Sequence, residues 1–232
     1  MPSRQNERLS KRLGSGSRGA GPVMGPDLFR TAQRHLARRD PVLKRIIAAV
    51  GPCTLRPDPD GFRMLVRAII SQMISTRAAA SIFARVEQAV AGGLTPASVL
   101  ALGEPALRAA GLSGAKARSL ADLAARVHDG RLPLDRLPEM TDDEVIARLV
   151  PVRGIGRWTA EMYLIFCLGR PDVLPVDDFG LRAGVRAEYG LPALPGRAPL
   201  RERAEPWRPY RSIATWYFWR SRGFVPQSAA AV

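Results

Sequence analysis

Two features of one stretch, Leu149 to Gly180, are of a kind that does chemistry. The first is the turn Val152-Arg153-Gly154-Ile155-Gly156-Arg157, which opens an apolar helix. Glycine accepts positive φ and has no side chain to fend off a ligand. Amides at such a helix start point outward, and with the positive end of the helix dipole they make an anion site. A phosphate bound there is positioned without its base being read. The second feature is the carboxylate pair Asp177 and Asp178, about twenty residues on, just behind Pro175. A fixed carboxylate near a bound strand can act as a general base or stabilise a developing positive charge.

Composition points the same way. The 232 residues carry 35 Lys+Arg against 21 Asp+Glu, a net charge of +14. That excess favours a polyanion as partner, DNA or RNA first and an anionic membrane second. Hydrophobic residues make up 46 %, enough for a sizeable core. Two distant cysteines, Cys53 and Cys167, cannot supply a four-cysteine zinc or iron–sulfur site. No segment approaches the ~20 apolar residues that span a bilayer. The charged start lacks an apolar stretch behind it, so it does not read as a signal peptide, and a cytosolic location is expected.

The elements that must position these features read as helices throughout. Residues 1–24, with five basic side chains against one acid, read as a disordered basic arm, and 226–232 as a tail. Phe62, Leu65, Val66, Ile69 and Ile70 recur at helical spacing, which predicts a helix ending near Gln72. Ser75 is placed to cap the next. Short helices are expected at Pro96–Leu102 and Pro105–Ala110, then Lys116–His128 after a Gly/Ser break. Thr141-Asp142-Asp143-Glu144 is a capping box. A helix over Arg157–Leu168 would end on Gly169 as its C′ residue. Asp177 or Asp178 would cap another, running to about Glu188, and Pro209 would sit in the first turn of the last. The class is all-α, with about ten helices.

The turn, preceded by Leu149-Val150 and followed by Trp158-Thr159-Ala160, is a helix–hairpin–helix signature. Taken with DVLPVDDFGLR, it resembles the helix–hairpin–helix DNA glycosylase superfamily, more narrowly the bacterial 3-methyladenine DNA glycosylase II (AlkA) type. SQMISTRAA (Ser71–Ala79), GLSGAKARSL (Gly111–Leu120) and PWRPYRSIATWYFWR (Pro206–Arg220) are similar to further family segments, in the family's order. The resemblance implies two helical subdomains flanking a cleft, 61–174 and 25–60 plus 175–225. It also implies no iron–sulfur cluster.

Several roles follow from the resemblance. Asp178 matches the catalytic aspartate, while Asp177 reads better as a helix cap. Met73 matches the residue that wedges into DNA, with Gln72 beside it to contact the opposite base. Trp219 and Trp158 match aromatics of the base pocket. Met162 falls where the bacterial relative has an aromatic, with Tyr163 next to it. Trp216 and Phe179 read better as core than as pocket. Gly154, Gly156, Arg153, Arg157 and Lys116 are candidate phosphate contacts. Carbonyls of Val150, Val152 and Ile155 are implied ligands of a monovalent cation, and no other cofactor is called for. Strand-cutting members use a lysine two residues after the second hairpin glycine. Here that position is Trp158, so hydrolysis without a Schiff base is expected.

The implied function is monofunctional removal of alkylated purines (3-methyladenine, 7-methylguanine) from duplex DNA by base flipping, in a monomer and without a membrane. Alternatives are a glycosylase for ethenoadenine, hypoxanthine, methylcytosine or mismatched thymine, and a non-catalytic damage sensor.

Overall fold

The structure, a computed structural model, describes residues 24–223. These form eleven α-helices and two 3₁₀ turns, with no strand among the described residues. In order they are α1 (Pro26–Arg39), α2 (Pro41–Val50), α3 (Gly61–Ser71), α4 (Thr76–Ala89), α5 (Pro96–Ala109), α6 (Gly114–His128), α7 (Asp142–Leu149), α8 (Arg157–Phe166), α9 (Phe179–Tyr189), α10 (Arg197–Ala204) and α11 (Arg211–Ser221). No described helix is long and apolar enough to cross a membrane.

Most boundaries follow local chemistry. Ser75 accepts the Ala78 amide at the start of α4, and Thr141 and Glu144 close a reciprocal capping box on α7. Proline opens α1, α2 and α5, where its missing N–H is not needed. The two short helices expected around residues 96–110 run on as α5, but Gly103 (φ 74°, ψ 165°) breaks the helical path between them.

Three boundaries differ from expectation. α8 stops at Phe166, because the Cys167 and Leu168 amides both turn back to the Tyr163 carbonyl, leaving Gly169 two residues beyond the cap Cys167. Pro209 lies before α11, whose cap is Tyr210. Met24, read as the last residue of the basic arm, is buried in the core. The rest of that arm and the tail 226–232 lie outside the described residues.

The helices pack in two groups. α3 to α8 pack among themselves, and α1, α2, α9, α10 and α11 among themselves. The chain crosses between the groups twice, through residues 51–60 and 167–178. Asp178 ends the second crossing and caps α9. In the second group a buried carboxylate, Asp40, ties distant parts together. It caps α2 and accepts the indole N–H of Trp207 at 2.8 Å and the hydroxyl of Tyr189. The central helix α8 is buried from Thr159 to Phe166.

Candidate active site and nucleic-acid interface

Asp178 is only 7 % exposed, yet each of its oxygens is engaged. Oδ1 accepts the Leu181 amide at 2.6 Å and the Trp219 indole N–H at 2.7 Å. Oδ2 accepts the Trp158 indole N–H at 2.8 Å. An ionised carboxylate is acceptor-only, so three donors suit it without a proton of its own. Trp158 comes from α8 and Trp219 from α11, so both helix groups hold the same carboxylate. The residue expected to be reactive is thus also the cap of α9, a role expected of Asp177. Asp177, by contrast, points outward to a salt bridge with Arg197 at 2.5 Å.

Position 180 explains the glycine that follows. A Cβ there would lie 2.9 Å from Cδ1 of Trp219, so only glycine lets the indole reach Asp178.

The aromatics divide differently from expectation. Trp219 is 2 % exposed, and its ring stacks on Phe166 with centroids 5.6 Å apart. It supports the carboxylate and is not an open stacking wall. Met162 and Tyr163 are buried within α8, and the Tyr163 hydroxyl is bonded to Cys167 and packed on Gly61. Both lie within the packing of α8 against α3 and α7 and present little surface to solvent. The aromatic faces open to solvent beside Asp178 are Trp158, 44 % exposed, and its chain neighbour Phe179, also exposed. Phe179, expected in the core, opens the first turn of α9 and lies exposed. Trp216 is buried against Tyr217.

The hairpin is built on α6. Gly154 has φ +79°, and a Cβ would lie 2.8 Å from Oγ of Ser119. Both backbone conformation and space demand glycine there. Gly156 differs from the expected positive φ. It is extended (φ −94°, ψ 175°), it is the N-cap of α8, and a Cβ would meet nothing within 4 Å. No side chain caps α8, so its first-turn amides face outward as donors. The Arg153 amide is held by Oδ2 of Asp122 at 2.8 Å, while its side chain is exposed. Arg157 pairs with Glu161 at 3.0 Å. Glu161 is buried, and burial raises its carboxyl above the usual range, an effect that Arg157 partly offsets.

The carbonyls of Val150, Val152 and Ile155 surround the same turn. That of Val152 accepts the Ile155 amide at 3.0 Å. No group of three or more His, Cys, Asp or Glu side chains among the described residues could hold a metal.

The turn expected to carry the wedge lies between α3 and α4. Met73 is 99 % exposed, with φ +57°. Gln72, expected at the opposite base, gives its side-chain amide to the Gly154 carbonyl at 2.8 Å. Lys116, expected on a phosphate, points back at the protein: Nζ donates to the carbonyls of Ile70 at 2.7 Å and Gln72 at 2.6 Å. Sequence reasoning gave no role to Ser119, although it lies in the segment Gly111–Leu120, and missed Asp122 altogether. Both lie on a helix with ordinary polar spacing, and nothing local marks them.

A helical protein with an amide-lined hairpin beside a buried, donor-held carboxylate has the make-up of a DNA-repair glycosylase. Residues 66–209 match the profile of the HhH-GPD superfamily base excision DNA repair proteins, and the chain belongs to that family. DNA-3-methyladenine glycosylase 1 of Schizosaccharomyces pombe is 35 % identical over 196 residues, covering 82 % of this chain and 86 % of the relative. DNA-3-methyladenine glycosylase 2 of Escherichia coli is 31 % identical over 182 residues, covering 73 % of this chain and 61 % of the relative. The solved structure of the S. pombe 3-methyladenine DNA glycosylase in complex with abasic DNA superposes with a TM-score of 0.74 at 33 % identity. It covers 84 % of this chain and 98 % of that one.

Proposed function

We propose that the protein is a monofunctional DNA glycosylase that releases alkylated purines, chiefly 3-methyladenine and 7-methylguanine, from duplex DNA. The observation that carries this reading is the Asp178 carboxylate, fixed by two indoles and one backbone amide where the two helix groups meet. The names of the relatives support the substrate class.

The chemistry follows from the site. The target nucleotide leaves the stack at a cost of a few kcal/mol. Met73, apolar and projecting, fills the gap it leaves. The extruded base lies against the exposed ring of Trp158. A base alkylated at N3 or N7 is cationic and gains from an indole face. It is also a good leaving group, so no general acid is required. As the N-glycosidic bond breaks, positive charge builds on the sugar. The fixed carboxylate of Asp178 stabilises that charge and orients or deprotonates the attacking water.

The hairpin holds the strand. A side chain at Gly156 would clash with nothing inside the protein, so its smallness serves something outside it, an approaching phosphate. Oxygen donors suit hard cations, and the carbonyls of Val150, Val152 and Ile155 would hold a monovalent cation there. Its charge would strengthen attraction to the phosphate. The protein acts as a monomer on double-stranded DNA.

The test is Asp178→Asn assayed on a panel of lesion duplexes beside the wild-type chain. The variant should lose release of 3-methyladenine and 7-methylguanine while binding abasic-site duplex nearly as well. Wild-type excision by the variant overturns the role of Asp178. Turnover only on ethenoadenine, hypoxanthine, methylcytosine or mismatched thymine overturns the substrate class. Lesion-specific binding without turnover makes the protein a damage sensor.

A further inference from the structure

One polar stripe of α6 touches both parts of the DNA-facing surface. Lys116, Ser119 and Asp122 recur every three residues, so they line one face of the helix. Lys116 holds the end of α3 and the wedge turn through the carbonyls of Ile70 and Gln72. Ser119 lies under Gly154. Asp122 takes the Arg153 amide and is itself fixed by Arg126 through both oxygens, at 2.9 and 3.0 Å. Gln72 closes the circuit from wedge turn to hairpin at the Gly154 carbonyl.

The wedge turn needs such support. The last carbonyls of a helix have no partner within it, and they sit at the negative end of its dipole. An ammonium placed between them satisfies both demands. Met73 holds a left-handed conformation that costs an L-residue roughly 1–2 kcal/mol, so its surroundings must impose it. Burial of the ammonium lowers the Lys116 pKa, in keeping with a group turned into the protein.

We infer that Lys116 is a positioning residue for the Met73 wedge and not a phosphate ligand, and that the α6 stripe keeps wedge and hairpin in register. Gripping the strand and inserting the wedge then occur in one docked geometry. The inference rests on the reading of the protein as a base-flipping glycosylase.

The experiment compares wild type, Lys116→Met, Met73→Ala and the double variant. Three readouts are taken: salt dependence of duplex binding, fluorescence of a 2-aminopurine beside the lesion, and single-turnover excision. Lys116→Met should keep the wild-type salt slope and lose the fluorescence rise that reports unstacking. Excision from a paired lesion should fall on the order of tenfold to a hundredfold, the scale of a misplaced group. The loss should shrink when the lesion faces no base, since unstacking is then easier. Added to Met73→Ala, Lys116→Met should cost little more.

A salt slope reduced by about one with an intact fluorescence rise makes Lys116 a phosphate contact and overturns the inference. Fully additive losses in the double variant overturn it as well. If Lys116→Met does not fold, Lys116→Arg serves: it keeps the charge but alters its reach, so positioning predicts a weakened fluorescence rise and phosphate binding an unchanged one. A wild-type chain with neither excision nor a fluorescence rise fails the parent reading. A wild type with both, beside an unimpaired Lys116→Met, fails this inference alone.

Discussion

Trp158 and Trp219 donate their indole N–H groups to opposite oxygens of Asp178, at 2.8 and 2.7 Å, from helices in different halves of the protein. The two bonds divide their duties. Trp158 is half open to solvent; Trp219 is closed off and faces the core. Trp219→Phe keeps an aromatic ring on Phe166 but removes the donor to Oδ1. A hydrogen bond to a charged group contributes about 1.5–3 kcal/mol. Excision should fall by roughly tenfold to a hundredfold, by the ~1.4 kcal/mol-per-decade rule. KM should change little, because the ring is not an open surface. A KM effect with unchanged kcat would put Trp219 in direct contact with the base.

The two hairpin glycines should fail in different ways. Gly154→Ala forces a side chain into positive φ and against Ser119, and should cost at least about 1–2 kcal/mol of stability. Gly156→Ser supplies a good N-cap in an extended conformation with open space around it. It should melt at or slightly above the wild-type temperature and yet bind duplex more weakly. Thermal melts and DNA titrations on both variants check the pair. Unimpaired binding by Gly156→Ser would remove the phosphate from that position.

Arg153 and Arg157 are both candidate phosphate contacts, but the side chain of Arg157 has a second task in its ion pair with Glu161. Arg153→Gln should lower the slope of log affinity against log salt by about one, with base choice and stability unchanged. Arg157→Gln should also destabilise the fold, because it leaves the buried Glu161 carboxylate without its ion pair. Equal melting temperatures for the two variants would contradict this.

Glu161 gives a pH signature. Its folded-state pKa is raised, chiefly by burial, with Asp177 and Asp178 adding to the shift and Arg157 opposing it. The folded state therefore binds more protons than the unfolded one between the ordinary glutamate value of 4.5 and the raised one. The stability contributed by this group is present below that window and is lost as pH rises through it. Glu161→Gln removes the titration. Its melting temperature, measured against wild type, should improve as pH is raised from about 4 to 7. A difference that does not vary with pH would show that the carboxyl titrates normally.

Trp158 stands two residues after the second hairpin glycine, and an indole cannot form a Schiff base. Borohydride added during turnover should trap no covalent protein–DNA adduct, and the product should be an unbroken strand with an abasic site. A trapped adduct would require another amine in the site.

Much of the site was legible because its chemistry is local. A glycine turn entering a helix and an aspartate placed to cap the next one each show in a few consecutive residues, whereas Met73 was picked out only by the resemblance of its segment. The helices of α3, α4, α6 and α7 were legible for the same reason, since caps and apolar spacing are short-range signals. What could not be read was which face of each element meets which neighbour. Met162 and Tyr163 follow Trp158 on α8, but the helix is enclosed, so they pack inside while Trp158 stays open. Phe179 carries an apolar ring that composition assigns to the core, and the start of α9 turns it to solvent.

The sequence alone determined that this protein is helical and basic, with a glycine turn at a helix start followed by a carboxylate pair. Those properties depend on residue type and on contacts within a turn or two. Only the tertiary structure decided that Lys116 faces inward, that Asp122 fixes the hairpin and that Trp219 supports Asp178. The bonds of Lys116 and Trp219 span more than forty residues and that of Asp122 more than thirty. Side chains that far apart meet only when two independently formed helices pack, and packing is settled by the shape and volume of the whole core.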